Sequence, residues 1–250
     1  MLHCECSQMS TIAPPQGPLR AVHHADAISW LRQQGRLDGA SIVTSLPDVS
    51  EVPALGLEGW KRWFEEAALQ VMQAVPDDGV AIFFQSDIKD GGLWIDKGAL
   101  VARAAERAAM GLLSHKIVCR KRAGTVTFGR ATYSHLLTFA RVLRARADRA
   151  SADVLPDAGF MPGKKSMGAA ACADACRFVR DQTPTRTVVD PFCGWGTVLA
   201  VANAMGLDAV GVDLSARMCR RARALQIDLA APAGRPPPAR PAVTPSGGPP

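Results

Sequence analysis

The chain has no apolar run near the roughly 20 residues needed to cross a bilayer, and no charged start followed by an apolar stretch at its N-terminus. Neither a membrane span nor a secretory signal is expected, and the cytoplasm is the default location. A disulfide framework is lacking too. The cysteines number seven, an odd count, and most sit inside apolar stretches. In a reducing compartment that pattern reads as buried or free thiols. His3 with Cys4-x-Cys6 could be half of a metal site, but no second pair with ligand spacing follows, so no metal is expected. There is no internal repeat.

What is present suffices for one domain: 250 residues, 48% of them hydrophobic. Residues 1–18 lack periodicity and contain Pro14-Pro15, and residues 231–250 are rich in proline and glycine. Both tails are expected to be disordered, because such segments cannot offset ordering entropy by burial. The folded domain is placed at 19–230. The net charge of +6 suits an anionic partner such as nucleic acid, but only weakly.

Strand-like and helix-like segments alternate along the domain. Ser41–Thr44 and Val80–Phe84 are apolar or β-branched runs, as buried strands should be. Trp60, Trp63, Phe64, Ala67, Val71 and Val75 share one helical face. Asp96 should cap a helix that runs to about Met110 and ends at Gly111. Lys116–Cys119 and Ser134–Phe139 read as antiparallel neighbours, residues 141–165 as a loop, and Ser166–Val179 as a helix. Arg186–Asp190 is a strand, Thr197–Met205 a helix ending at Gly206, and Ala209–Asp213 a strand. Ser215 should cap the last helix. The alternation predicts an α/β sandwich with a largely parallel sheet.

The strongest chemistry lies in residues 186–213. A strand ends in Asp190, the turn Gly194-Trp195-Gly196 follows, and a helix begins. Glycines there let a ligand approach the backbone, and the helix N-terminus offers free N–H groups. A second strand ends in Asp213, 23 residues after Asp190, about the offset at which an acidic residue meets ribose hydroxyls in dinucleotide-type folds. The turn lacks the G-x-G-x-x-G pattern of a pyrophosphate site. An ordinary tight turn in an unrelated α/β protein is the alternative.

The string Asp190-Pro191-Phe192-Cys193-Gly194-Trp195-Gly196-Thr197, completed by Gly211-Val212-Asp213, resembles the cofactor motif of S-adenosylmethionine (SAM)-dependent amino methyltransferases acting on DNA and RNA. The resemblance implies a Rossmann-like sandwich with SAM as cofactor. It implies that Asp190–Gly196 wraps the methionine part and that Asp213 accepts hydrogen bonds from the ribose. Because the motif sits near the C-terminus, the missing strands must lie upstream. That is the circularly permuted, β-class-like order, with a catalytic half at about 22–140 and a SAM half at about 160–228. Asp26-Ala-Ile-Ser-Trp-Leu31, the hairpin around Lys116–Phe139 and Gly163-Lys-Lys-Ser-Met-Gly168 also resemble family segments. By that resemblance Asp26 contacts the adenine of SAM, unless it is simply a helix cap, and Gly163–Gly168 closes over the methionine end.

The family's acceptor motif, [Asp/Asn/Ser]-Pro-Pro-[Tyr/Phe], would fall on Ser45-Leu46-Pro47-Asp48. Its first side chain and a backbone carbonyl hold the target amino group, and its ring stacks on a flipped base. Ser45 and Pro47 are kept; the first proline is Leu46 and the aromatic is Asp48. Stacking would then come from Phe128 or Tyr133. Asp48 and Glu51 would act as a base or orienting pair, or merely start the next loop and helix. Lys116, Arg120, Lys121, Arg122 and Arg130 could hold phosphates around the hairpin, or serve solubility alone. Cys193 is not read as a nucleophile, and the Pro-Cys pair of carbon-5 methyltransferases is absent. The expected activity is methyl transfer to a base nitrogen of nucleic acid, RNA preferred over DNA because no separate target-recognition domain fits. DNA adenine-N6 or cytosine-N4 methylation and a non-catalytic SAM- or RNA-binding relative are the alternatives. The oligomeric state is left open, a dimer included.

Overall fold

The computed structural model describes residues 17–230. The expectations for 1–16 and 231–250, and for His3, Cys4 and Cys6, lie outside the described residues. In chain order the elements are β1 (Arg20–His24), α1 (Ala27–Gln34), β2 (Ala40–Thr44), α2 (Gly56–Ala74), β3 (Ala81–Gln85) and the hairpin β4 (Ile88–Asp90) with β5 (Leu93–Ile95). Then come α3 (Lys97–Arg107), β6 (Gly111–Cys119), β7 (Tyr133–Ala140), β8 (Val154–Leu155), α4 (Ala169–Gln182), β9 (Thr187–Asp190), α5 (Thr197–Ala204), β10 (Asp208–Asp213) and α6 (Ala216–Ala224).

The main sheet has the order β1-β10-β9-β2-β3-β7-β6-β8. Strands β1, β10, β9, β2 and β3 are parallel, β7 runs antiparallel to β3 and to β6, and the short β8 pairs parallel to β6. The predicted mostly parallel sheet with a late antiparallel hairpin is therefore what forms.

The central strands are apolar on both faces, so consecutive side chains enter different cores. Ile42, Phe83 and Val189 pack with Trp60, Phe64 and Met72 of α2 and with Val101 of α3. Val43, Ile82 and Val188 pack with Cys172 and Cys176 of α4 and Leu199 of α5. Three layers result, with α1, α2 and α3 on one face and α4, α5 and α6 on the other.

Several boundaries differ from expectation. Helix α2 starts at Gly56, ahead of Trp60, after 3-10 turns at Val49–Glu51 and Pro53–Leu55. Helix α3 stops at Arg107, and the turn is taken by Ala109 at φ 53°, so Gly111 opens β6 instead of closing the helix. Ser166 does not start α4; its hydroxyl donates to the Gly163 carbonyl at 2.8 Å and closes a turn before Ala169. Strand β8 falls within the predicted 141–165 loop.

Lys116 is corrected most sharply. It is buried, and its ammonium donates to Ser151 Oγ at 2.6 Å and the Ala152 carbonyl at 2.9 Å, and pairs with Asp174 at 3.1 Å. It ties β6 to α4 and has no donor to spare for a phosphate.

Candidate active site

Strand β9 lies between β10 and β2, and the chain runs from β9 into α5 on one face of the sheet but from β2 toward α2 on the other. A crevice opens at such a switch point beyond the carboxyl ends of the strands. Here it is a cleft of about 650 Å³. Its walls bring together Asp26, Ser45, Pro47, Glu51, Asp190, Pro191, Phe192, Cys193, Gly194, Thr197 and Asp213. Residues far apart in the chain thus meet as the permuted reading requires.

The loop after β9 is held by its own backbone. Gly196 donates to the Cys193 carbonyl at 2.7 Å, and Cys193 donates to the Val212 carbonyl at 3.0 Å. Gly196 has φ 78°, and a Cβ there would lie 2.6 Å from Ala222 Cα of α6. Only glycine meets both demands. Asp213 accepts from the Gly194 and Ser215 amides at 3.0 and 2.7 Å, joining the loop to the end of β10.

Asp190 is buried beneath this loop. It accepts from Thr44 Oγ1 at 2.7 Å and from the Phe192 amide at 3.1 Å. Burial pushes its carboxyl up to about 7, the Thr44 and Phe192 hydrogen bonds oppose this, and nearby Asp213 adds to the rise. Sequence reading passed over Thr44; the only signal was a polar residue ending a strand buried along its whole length. Burial first, then Asp190 and Asp213, pushes the Cys193 thiol well up, which leaves no thiolate for nucleophilic chemistry.

The groups present fit a SAM-like ligand. The Thr197 hydroxyl lines the cleft at the start of α5, is buried, and has no partner among the described residues. Asp26 caps α1 by accepting from the Ser29 amide at 2.8 Å, and it also lines the cleft. Lys164, Lys165, Ser166 and Met167 form the facing wall, and Lys165 donates to Ser50 Oγ at 3.0 Å.

A second cleft of about 460 Å³ shares Ser45, Leu46, Glu51 and Lys164–Ser166 with the first. Asp48 faces only this one. It caps the Val49–Glu51 turn in a reciprocal box with Glu51 and pairs with Lys97 at 2.9 Å. Burial would raise the Asp48 carboxyl, but hydrogen bonding and charge from Lys97, with help from Ser50, bring it below its ordinary value. Lys97 is only 4% exposed and sits 5.4 Å from the ring centre of Trp60. Its sequence neighbours gave no hint of this, since it opens an amphipathic helix and reads as a surface lysine.

Arg120, Lys121 and Arg130 line the second cleft, with Arg120 donating to Ser86 Oγ at 3.0 Å. The proposed stacking aromatics fare differently. Phe128 is 88% exposed and lines neither cleft. Tyr133 stacks on Trp94, with ring centres 6.4 Å apart, and also lies outside both.

No protein-family model and no curated protein matches the chain. Solved structures do match. A candidate DNA modification methylase of Thermus thermophilus, complexed with S-adenosyl-L-methionine, superposes with TM-score 0.62 at 18% identity over 82% of this chain and 91% of that one. The cytosine-N4-specific PvuII DNA methyltransferase gives TM-score 0.62 at 14% identity over 83% and 88%. The M1.HpyAVI–SAM complex gives 0.55 at 14% over 82% and 97%. The protein shares the α/β fold of these DNA methylases.

Proposed function

We propose that this protein is a SAM-dependent methyltransferase acting on a base nitrogen of nucleic acid, with DNA ahead of RNA as the acceptor. The observation that carries the reading is the joined pair of clefts. One end gathers Asp190–Gly194, Thr197 and Asp213; the other gathers Arg120, Lys121 and Arg130; Ser45 stands at the junction. The methyl donor and a polyanion would meet there. The preference expected from sequence for RNA gives way to DNA, because the solved structures that share the fold are named as DNA methylases.

SAM, when bound, supplies a methyl group already activated on a sulfonium. The protein then needs chiefly to align and desolvate. Asp213 accepts from the ribose hydroxyls, Thr197 and the free amides of α5 take polar atoms of the methionine end, and Asp190 lies beneath as a buried carboxyl. Ser45 accepts a hydrogen bond from the acceptor amine. Asp48, held ionised by Lys97, is a weak base, so it orients the acceptor instead of removing a proton beforehand.

The test is transfer of label from radiolabelled SAM to genomic DNA, total RNA or neither. Label in DNA is expected. Label in RNA alone would move the acceptor back to RNA. Failure of the protein to bind SAM would overturn the enzymatic reading.

A further inference from the structure

Gln85 ends β3, two residues past Phe83, the strand partner of Thr44. It is still paired with His135 of β7 at the end of the sheet, and it lines the second cleft along with Ser45, Asp48, Lys97 and Arg120. The residue is 1% exposed, and neither its amide nitrogen nor its amide oxygen has a partner among the described residues. Its surroundings are otherwise well matched. Ser86 bonds to Ser134, Asp48 to Lys97, and Asp87 to His135. A sealed carboxamide with nothing to bond is costly, and buried polar groups of that kind are rare. Apolar side chains would fill the position at lower cost if packing were its only purpose.

We propose that the Gln85 carboxamide is the specificity-determining contact for the acceptor, taking the edge of a base that presents an exocyclic amine next to a ring nitrogen acceptor, as adenine and cytosine do. A carboxamide carries one donor and one acceptor side by side, which matches that edge with two hydrogen bonds. The base reaches it through a side-chain movement in the cleft wall, of the kind common at binding surfaces. Arg120, Lys121 and Arg130 would hold the flanking phosphates in the same cleft. The inference rests on the function proposed above and adds the recognised chemical group.

The test compares the full-length wild-type protein with Gln85→Met and Gln85→Glu. Methionine keeps the length and unbranched shape and removes both polar atoms. Three quantities are measured: methyl transfer to DNA and RNA, SAM affinity, and the melting temperature. For Gln85→Met the expected result is a loss of kcat/KM of about 5- to 150-fold. SAM affinity should be unchanged and the melting temperature unchanged or raised. Gln85→Glu, which keeps an acceptor and loses the amide donor, should fall between. Full activity in Gln85→Met, with the wild type active, overturns the inference and leaves the methyltransferase reading standing. A lowered melting temperature in both variants with lost SAM binding assigns Gln85 to the fold and also overturns it. No transfer by the wild type to either nucleic acid removes the proposed function and this inference together.

Discussion

At the scale of single residues, two buried charges set what the site can do. Asp190 ordinarily would titrate near 3.8 and in the fold titrates at about 7. Between those values the folded protein holds a proton that the unfolded chain releases. Its effect on stability is therefore a penalty that grows as pH rises from about 4 to about 7 and is complete above that. A cationic methyl donor in the same cleft favours the ionised form. SAM binding should accordingly tighten as pH rises through about 7 and should release a proton. Calorimetry in two buffers of different ionisation enthalpy checks this; Asp190→Asn should abolish the proton release, and its persistence would reassign the group. The second charge is Lys97, sealed except for its pairing with Asp48, which is 36% exposed. Asp48→Asn strands a buried ammonium and should cost about 1–3 kcal/mol, less than for a fully enclosed pair. Lys97→Met strands only a partly solvated carboxylate and should cost less. In urea unfolding the double variant should regain part of the loss, and strictly additive effects would argue against coupling.

At the scale of elements, the unit β9–loop–α5–β10 is built on close backbone approach. A Cβ at Gly211 would lie 2.5 Å from Leu199 Cδ1 and 2.9 Å from Cys193 Sγ. Gly211→Ala should destabilise by about 1–3 kcal/mol through overpacking and weaken SAM binding, because Cys193 lies in the loop proposed to hold the cofactor. Gly206→Ala is the contrast. It meets nothing within 4 Å but sits at φ 81°. It should cost about 1–2 kcal/mol through the left-handed backbone while SAM affinity stays unchanged. Thermal unfolding and SAM titration of both variants separate the two effects, and equal losses of affinity would sink the distinction. This unit was legible in sequence because strand, turn and helix signals fall within residues 186–213. The same holds for the Asp96 and Ser215 caps, each of which accepts from the amide three residues on. Helix ends set by tertiary contacts were not legible, as the Ala109 turn shows.

At the scale of the whole molecule, the two halves inferred from motif order are not separate bodies. Strand β1 of the first half pairs with β10 of the second, and β9 sits between β10 and β2. The Lys116–Asp174 pair ties β6 to α4 across the same division. Unfolding should be one cooperative transition, with calorimetric and van't Hoff enthalpies equal. Two resolved transitions would show that the halves fold independently.

The sequence by itself determined the alternation of strands and helices, the mostly parallel sheet, and the Asp190–Asp213 motif. Those depend on periodicity, capping and turn chemistry, which act over a few residues. Tertiary structure alone decided the acceptor side. It buried Lys97 against Asp48 across 49 residues, removed Lys116 from the surface, left Phe128 outside both clefts, and sealed Gln85 without a partner. Those outcomes follow from which strands pair and which loops meet at the sheet edge. Such pairing costs loop-closure entropy that local signals do not encode.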